Sequence, residues 1–296
     1  MTLESALRHG VAVLTQVTAG RYTVRGVSLG GMYTALHVPE LDTLFDVGMA
    51  LRSAASASVL CLSHGHVDHF GSLPALLGMR ALMGIRRPMK VLLPAALEAV
   101  VHEVLAAVSK LHRWPLEVET VPMEPGTEVR LHGDLIVRAF RTYHPVPSLG
   151  FLYLRRVTKL RPQFERLPGA EIARRRRAGD VDLFETVERR EFAYATDTLP
   201  TVLEREPQLL DTRTLVLECT FLDARKTVAD ARAGCHIHLD ELLNFAPRFR
   251  NEALVLMHFS QIYKPSEVRA LLDARWPTET RGLVVPFAPT GDHWPG

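Results

Sequence analysis

Cysteine is scarce in this sequence: Cys61, Cys219 and Cys235 are the only three in 296 residues. An odd, widely spaced set argues against a disulfide framework and for a reducing compartment. Long uncharged runs are also lacking. Stretches such as Gly26–Pro39 fall well short of the roughly 18–20 apolar residues that span a bilayer, which excludes a membrane helix. Residues 1–20 place Glu4 and Arg8 before a modest apolar run, without a basic start, a long apolar stretch and a small-residue cleavage site. A secretory leader is therefore not expected, and the expected location is cytoplasmic. Net charge is small, with 35 Lys and Arg against 33 Asp and Glu, while 47% of residues are hydrophobic, so disorder is excluded.

The chain instead offers a layered fold and an unusual number of histidines, 13 in all, whose positions carry the argument. At roughly 150 residues per domain the length fits two domains or one large one. Short apolar strands and turns run to Ser72. The spacing of Leu97, Val100, Val101, Val104, Leu105, Val108 and Leu111 then predicts a core-packed helix from about Pro94 to Arg113, with the proline in its first turn. Apolar strands at 191–196, 214–219 and 253–257 alternate with helical stretches near 239–246 and 265–275. This pattern predicts one layered α/β domain over 1–296. Residues 155–190 form an excursion from it, since 155–177 hold nine Arg or Lys against Glu165 and Glu171. No linker or short repeat is evident, and the Pro-rich tail 286–296 reads as poorly structured.

The most informative stretch is Ser63-His64-Gly65-His66-Val67-Asp68-His69, directly after the strand-like Ser58–Leu62. Three imidazoles and a carboxylate in one loop are N/O donors suited to zinc, manganese or iron. His144, Asp197 and His258 each end a further apolar run, where α/β sheets gather ligands. Of the remaining histidines, His102 is expected to be exposed, and His9, His37, His112, His132 and His293 have no supporting context.

These stretches together resemble ribonuclease Z, the tRNA 3′-processing branch of the metallo-β-lactamase superfamily, and its short plant-type form most of all. The resemblance rests on Phe45-Asp46-Val47-Gly48, the Ser63–His69 string followed by Phe70-Gly71-Ser72-Leu73-Pro74, and Tyr143-His144. It continues through Asp197-Thr198, Glu218-Cys219-Thr220-Phe221-Leu222, His236-Ile237-His238, and His258-Phe259-Ser260 with Tyr263. It implies a four-layer αβ/βα sandwich of two mixed sheets. It also implies two divalent metal ions, zinc first and manganese or iron as alternatives. His64, His66 and His144 would hold one ion and Asp68, His69 and His258 the other, with Asp197 bridging. A metal-bridging hydroxide would attack the phosphodiester, Asp68 orienting it, and His236 would be the general acid for the departing 3′-oxygen. His238 is the alternative acid or a surface residue. Asp46 and Glu218 are supporting residues, and Cys235 is an incidental thiol.

The same resemblance makes 155–190 a short arm that grips folded RNA. Arg155, Arg156, Lys159, Arg161, Arg174, Arg175, Arg176 and Arg177 would neutralise phosphates, with Thr198 and Ser260 also touching substrate. The other reading of Arg174–Arg177 is the solvated face of a short helix. Two positions depart from the family: Ile262 stands where arginine is usual before the tyrosine, and Thr196 where glycine often precedes the aspartate. The expected activity is removal of the 3′ trailer from precursor tRNA, leaving a 3′-hydroxyl and a 5′-phosphate trailer, by a homodimer. The competing readings are a hydrolase of small phosphodiesters, cyclic nucleotides, lactones or thioesters, and a non-catalytic RNA-binding protein.

Overall fold

A computed structural model describes residues 14–295. His9 and most of the segment read for a leader lie outside the described residues. The first sheet contains β1 (Thr15–Ala19), β2 (Tyr22–Leu29), β3 (Tyr33–Val38), β4 (Thr43–Phe45), β5 (Val59–Cys61), β6 (Met89–Pro94) and β7 (Val118–Met123), side by side in chain order. The second contains β8 (Glu128–Arg130), β9 (Leu135–Arg141), β10 (Leu149–Leu160), β11 (Phe184–Ala195), β12 (Thr214–Glu218), β13 (Ala253–Met257) and β14 (Val284–Pro286), again in chain order. In each sheet the first four strands pair antiparallel and the last four parallel. The two halves therefore repeat one topology that no sequence periodicity reveals.

The inner parallel strands β5, β12 and β13 are covered on both faces, as unbroken apolar runs such as Leu254-Val255-Leu256-Met257 suggest, whereas the edge strands β7 and β14 are half-buried. One core lies between the sheets, where Phe45, Tyr153, Phe192 and Tyr194 pack edge-on or stacked. The other two cores lie under helices on the outer faces. On the first sheet these include α1 (Val67–Phe70), α2 (Leu73–Leu82) and α3 (Glu98–His112). This is the four-layer sandwich expected from sequence. No described helix is long and apolar enough to cross a membrane.

Three expectations need correction. Pro94 does not open the helix; it ends β6 opposite Met123, and a 3₁₀ turn separates it from α3. Within α3 the buried stripe narrows to Val101 and Leu105, while Val100 and Leu111 face solvent, because the helix touches the sheet along one ridge only. The tail is docked rather than loose: Phe287 is fully buried, Trp294 Nε1 donates to the Tyr263 carbonyl at 2.7 Å, and Tyr33 donates to the Pro295 carbonyl.

The basic excursion is an extension of β10 and β11 beyond the sheet. Their neighbours β9 and β12 stop pairing at Arg155 and Phe192, and the two strands continue as a ribbon to Leu160 and Phe184. A helix, α4 (Gly169–Arg177), closes the tip.

Candidate metal centre

The predicted ligands come together at one edge of the sandwich because each follows a strand end there, Asp68 and His69 by way of the short helix α1. Asp46, Asp197 and His258 follow β4, β11 and β13 with φ of 56°, 43° and 59°. Left-handed conformations are uncommon for non-glycine residues and concentrate at functional sites. The turn occurs at Asp197 itself, so Thr196 need not be glycine; its hydroxyl instead donates to Asp197 Oδ1 at 2.7 Å. At Gly48 the glycine is required, since a Cβ would lie 1.8 Å from the Asp68 carbonyl. That close approach, with Val47 N–H donating to the His69 carbonyl, seats α1 and so fixes Asp68 and His69.

His64, His66, His144 and Asp197 offer ligand atoms within 4.8 Å of one another, and so do Asp68, His69 and His258. Asp197 lies between the sets. Its Oδ2 is 3.7 Å from His64 Nε2 and 3.9 Å from His144 Nε2, while its Oδ1 is 3.3 Å from both His69 Nε2 and His258 Nε2. Ligands sharing a cation at about 2.0–2.2 Å stand roughly 3–3.5 Å apart, close to these separations. His69 Nε2 and His258 Nε2 are buried without any hydrogen-bond partner, an arrangement that a cation would satisfy. The donors present thus fit two divalent ions of the borderline type.

Other residues hold the imidazoles in place. His69 Nδ1 meets Asp46 Oδ2 at 2.8 Å, and His64 Nδ1 meets Ser63 Oγ at 2.9 Å. Asp46 also accepts from Ser63 N, Ser63 Oγ and Tyr194 OH at 2.6–2.8 Å. On the opposite side His258 Nδ1 meets Thr220 Oγ1 at 3.1 Å, and that hydroxyl donates to Glu218 Oε2 at 2.7 Å. Glu218 Oε1 faces His236 Nδ1 at 3.1 Å. Asp46 and Glu218, both fully buried, are therefore the two anchors of the site. Such partners fix ring orientation and raise ligand basicity.

Most of the protonation states agree with metal binding; at His69 burial favours the neutral ring, but Asp197 and Asp46 hold its pKa well above the usual imidazole range, so a cation there displaces a proton. Burial holds His64 and His144 below the usual imidazole range, leaving them free to ligate. Burial opposes ionisation of Asp197, yet His258, His69 and His64 keep its carboxyl well below the usual carboxylate range. His236 differs: burial pulls it down, but Glu218 overcomes this and raises it to about 9. Its ring centroid is 5.3 Å from that of His258 and 5.9 Å from that of His144.

Not every predicted residue sits at the centre. His238 is not a surface group; it is buried and caps the helix α5 (Leu239–Leu243), accepting from Asp240 N–H at 3.1 Å, while its Nε2 faces the Asp223 and Lys226 carbonyls. Thr198 is fully buried and spends its hydroxyl on the Tyr143 N–H and the Leu199 carbonyl. Ser260 is half-buried beside Gly30. Cys235 belongs to none of the ligand groups. In the arm, Arg155 pairs with Asp134, Arg156 with Glu128 and Glu188, Arg161 with Asp182, and Arg174 and Arg175 with Glu171. Lys159, Arg176 and Arg177 have no carboxylate partner among the described residues. The features missed from sequence are the clamps Ser63, Tyr194 and Thr220; only Ser63 and Thr220, within quoted motifs, carried any signal.

Two seven-stranded mixed sheets with a His/Asp centre at one edge define a metal-dependent hydrolase of the metallo-β-lactamase type. Residues 40–259 match the beta-lactamase superfamily domain family, and the fold is that of the metallo-β-lactamase fold protein YhfI from Bacillus subtilis, at TM-score 0.58 and 14% identity over 93% of this chain and 95% of that one. The chain is 33% identical to tRNase Z TRZ1 of Arabidopsis thaliana, over 86% of this chain and 90% of that protein, and 31% identical to the chloroplastic tRNase Z TRZ2 of the same plant, over 84% and 70%. Human tRNase Z, short form, superposes with a TM-score of 0.53 at 18% identity, covering 80% of this chain and 92% of that one. The chain belongs to the ribonuclease Z family.

Proposed function

We propose that this protein is the endoribonuclease that removes the 3′ trailer from precursor tRNA, cutting after the discriminator nucleotide to leave a 3′-hydroxyl and a 5′-phosphate trailer. The observation that carries the reading is Asp197, whose two oxygens face two separate imidazole sets, in a chain of this family. Two divalent ions, zinc in our proposal, would polarise a phosphodiester and activate water there. His64, His66 and His144 would hold one, Asp68, His69 and His258 the other, and Asp197 both.

The chain's own groups account for the remaining steps. Asp68 is the less buried of the two ligating carboxylates and orients the attacking water. His236 is one-fifth exposed and held protonated by Glu218, so it is suited to donate a proton to the departing 3′-oxygen. Lys159, Arg176 and Arg177, without a carboxylate partner among the described residues, are the arm's contacts to RNA phosphates. The ribbon leads away from the metal edge. From Ala195 at that edge to Glu185 in the arm, β11 runs roughly 33 Å at about 3.3 Å per residue. We further propose a homodimer in which the arm of one protomer, set apart from its own centre, presents RNA to the centre of the other.

The test is cleavage of a precursor tRNA with a 3′ trailer by metal-loaded protein, with both new ends mapped and Asp68→Ala as control. A single cut after the discriminator, absent in the control, is expected. Intact precursor alongside hydrolysis of a small phosphodiester or thioester contradicts the substrate assignment.

A further inference from the structure

Beside the metal centre, a cleft of about 310 Å³ opens between the end of β9 and the loop before β10, with His144 in its wall. Arg141, the last residue of β9, also lines it and is exposed. Its guanidinium lies 5.4 Å from the centroid of the Tyr143 ring. It has no carboxylate partner among the described residues. This sets it apart from most arm arginines, whose charges are spent on nearby acids. An aromatic face positions a guanidinium without neutralising it and leaves its N–H fork free. Ser148 supplies a second donor: its oxygen accepts from Thr142 Oγ1 at 2.6 Å, so its own hydroxyl hydrogen is available to the cleft. Glu124 is the one acidic residue in the lining, and it restricts an anion to the Arg141 side.

A cleft of this volume takes one nucleotide. We infer that it is a subsite for a single-stranded nucleotide flanking the cut, with Arg141 and Ser148 binding its phosphate while the scissile phosphate sits at the metal centre. The inference rests on the RNA reading above. Arg141 is then a binding and positioning residue, acting on the phosphate next to the reacting one.

The experiment measures kcat/KM on precursor tRNA across a salt series for the wild type, Arg141→Ala, Arg141→Lys and Lys110→Ala. Lys110 is an exposed cation on α3, outside the cleft. Losing one phosphate contact to a single strand lowers the log–log salt slope by about 0.7. Arg141→Ala is expected to lower kcat/KM roughly tenfold, chiefly through KM, and to reduce the slope by about that amount. Arg141→Lys is expected to recover most of the slope, and Lys110→Ala to match the wild type. An unchanged slope in Arg141→Ala, or the same drop in Lys110→Ala, overturns the subsite while leaving the ribonuclease reading intact. A wild-type protein that hydrolyses small phosphodiesters but neither binds nor cuts the precursor overturns both.

Discussion

Asp46→Asn isolates what a single buried anchor does for the metal centre. Asp46 is fully buried and accepts four hydrogen bonds, from Ser63 N at 2.7 Å to Oδ1, and from Ser63 Oγ, His69 Nδ1 and Tyr194 OH at 2.6–2.8 Å to Oδ2. Asparagine preserves the shape but has one acceptor oxygen. The favourable orientation keeps that oxygen toward the three donors and turns the amide NH₂ against the Ser63 N–H. The Ser63 N–H and the new amide NH₂ then face each other as unsatisfied buried donors, each costing about 1–3 kcal/mol in folding. His69 meanwhile exchanges a charged acceptor for a neutral one, which weakens its hold on a cation. Loss of such an orienting partner lowers metal affinity about 10–100-fold, or roughly 1.4–2.7 kcal/mol. The effect falls first on the ion held by Asp68, His69 and His258. Urea unfolding of the metal-free proteins reads the first quantity, and competition against a chromophoric chelator reads the second. A variant that binds two ions with wild-type affinity would refute the anchoring role.

Glu218 offers a pH readout, because its carboxylate is what raises His236 against burial. A general acid works while protonated, so activity persists below its pKa and is lost as pH rises through it. Glu218→Gln is expected to move this alkaline limb of kcat toward lower pH; an unmoved limb argues against His236 as the acid. His37 is buried and accepts from Arg25 at 3.0–3.2 Å, and burial with that neighbouring charge lowers its pKa to about 4. The unfolded chain therefore takes up this proton first, so stability is full above about pH 6.5 and declines as pH falls toward 4. His37→Gln should flatten that part of the Tm profile, and an identical slope contradicts the assignment. Trp294→Ala removes the bond to Tyr263 and the packing of the tail, with an expected loss of about 1–3 kcal/mol in urea unfolding. Unchanged stability would mean that the tail does not help to hold the fold.

The ligands were legible from sequence because their chemistry is local: His64, His66, Asp68 and His69 fall in one short stretch, and His144, Asp197 and His258 end apolar runs. The layered fold was legible for a related reason, since doubly covered parallel strands are written as unbroken hydrophobic segments. What escaped depends on contacts between distant residues. Tyr194 reaches Asp46 across the interface between the sheets, 148 positions away. The neutralisation of Arg155 and Arg156 could not be seen, because Glu128 on β8 and Asp134 in the turn after it precede the arm by more than twenty positions. His238 matched a catalytic motif, yet its ring serves a helix terminus. The tail's proline content suggested disorder, while Phe287 and Trp294 supplied the anchors.

Stepwise metal titration of the metal-free protein, with bound metal counted and precursor tRNA cleavage followed at each step, tests the paired centre most directly. The geometry around Asp197 predicts two ions per chain and activity that rises with the second; Asp197→Ala should lose both. Full activity at one ion per chain, or a second ion that changes nothing, would contradict a centre built on a shared carboxylate.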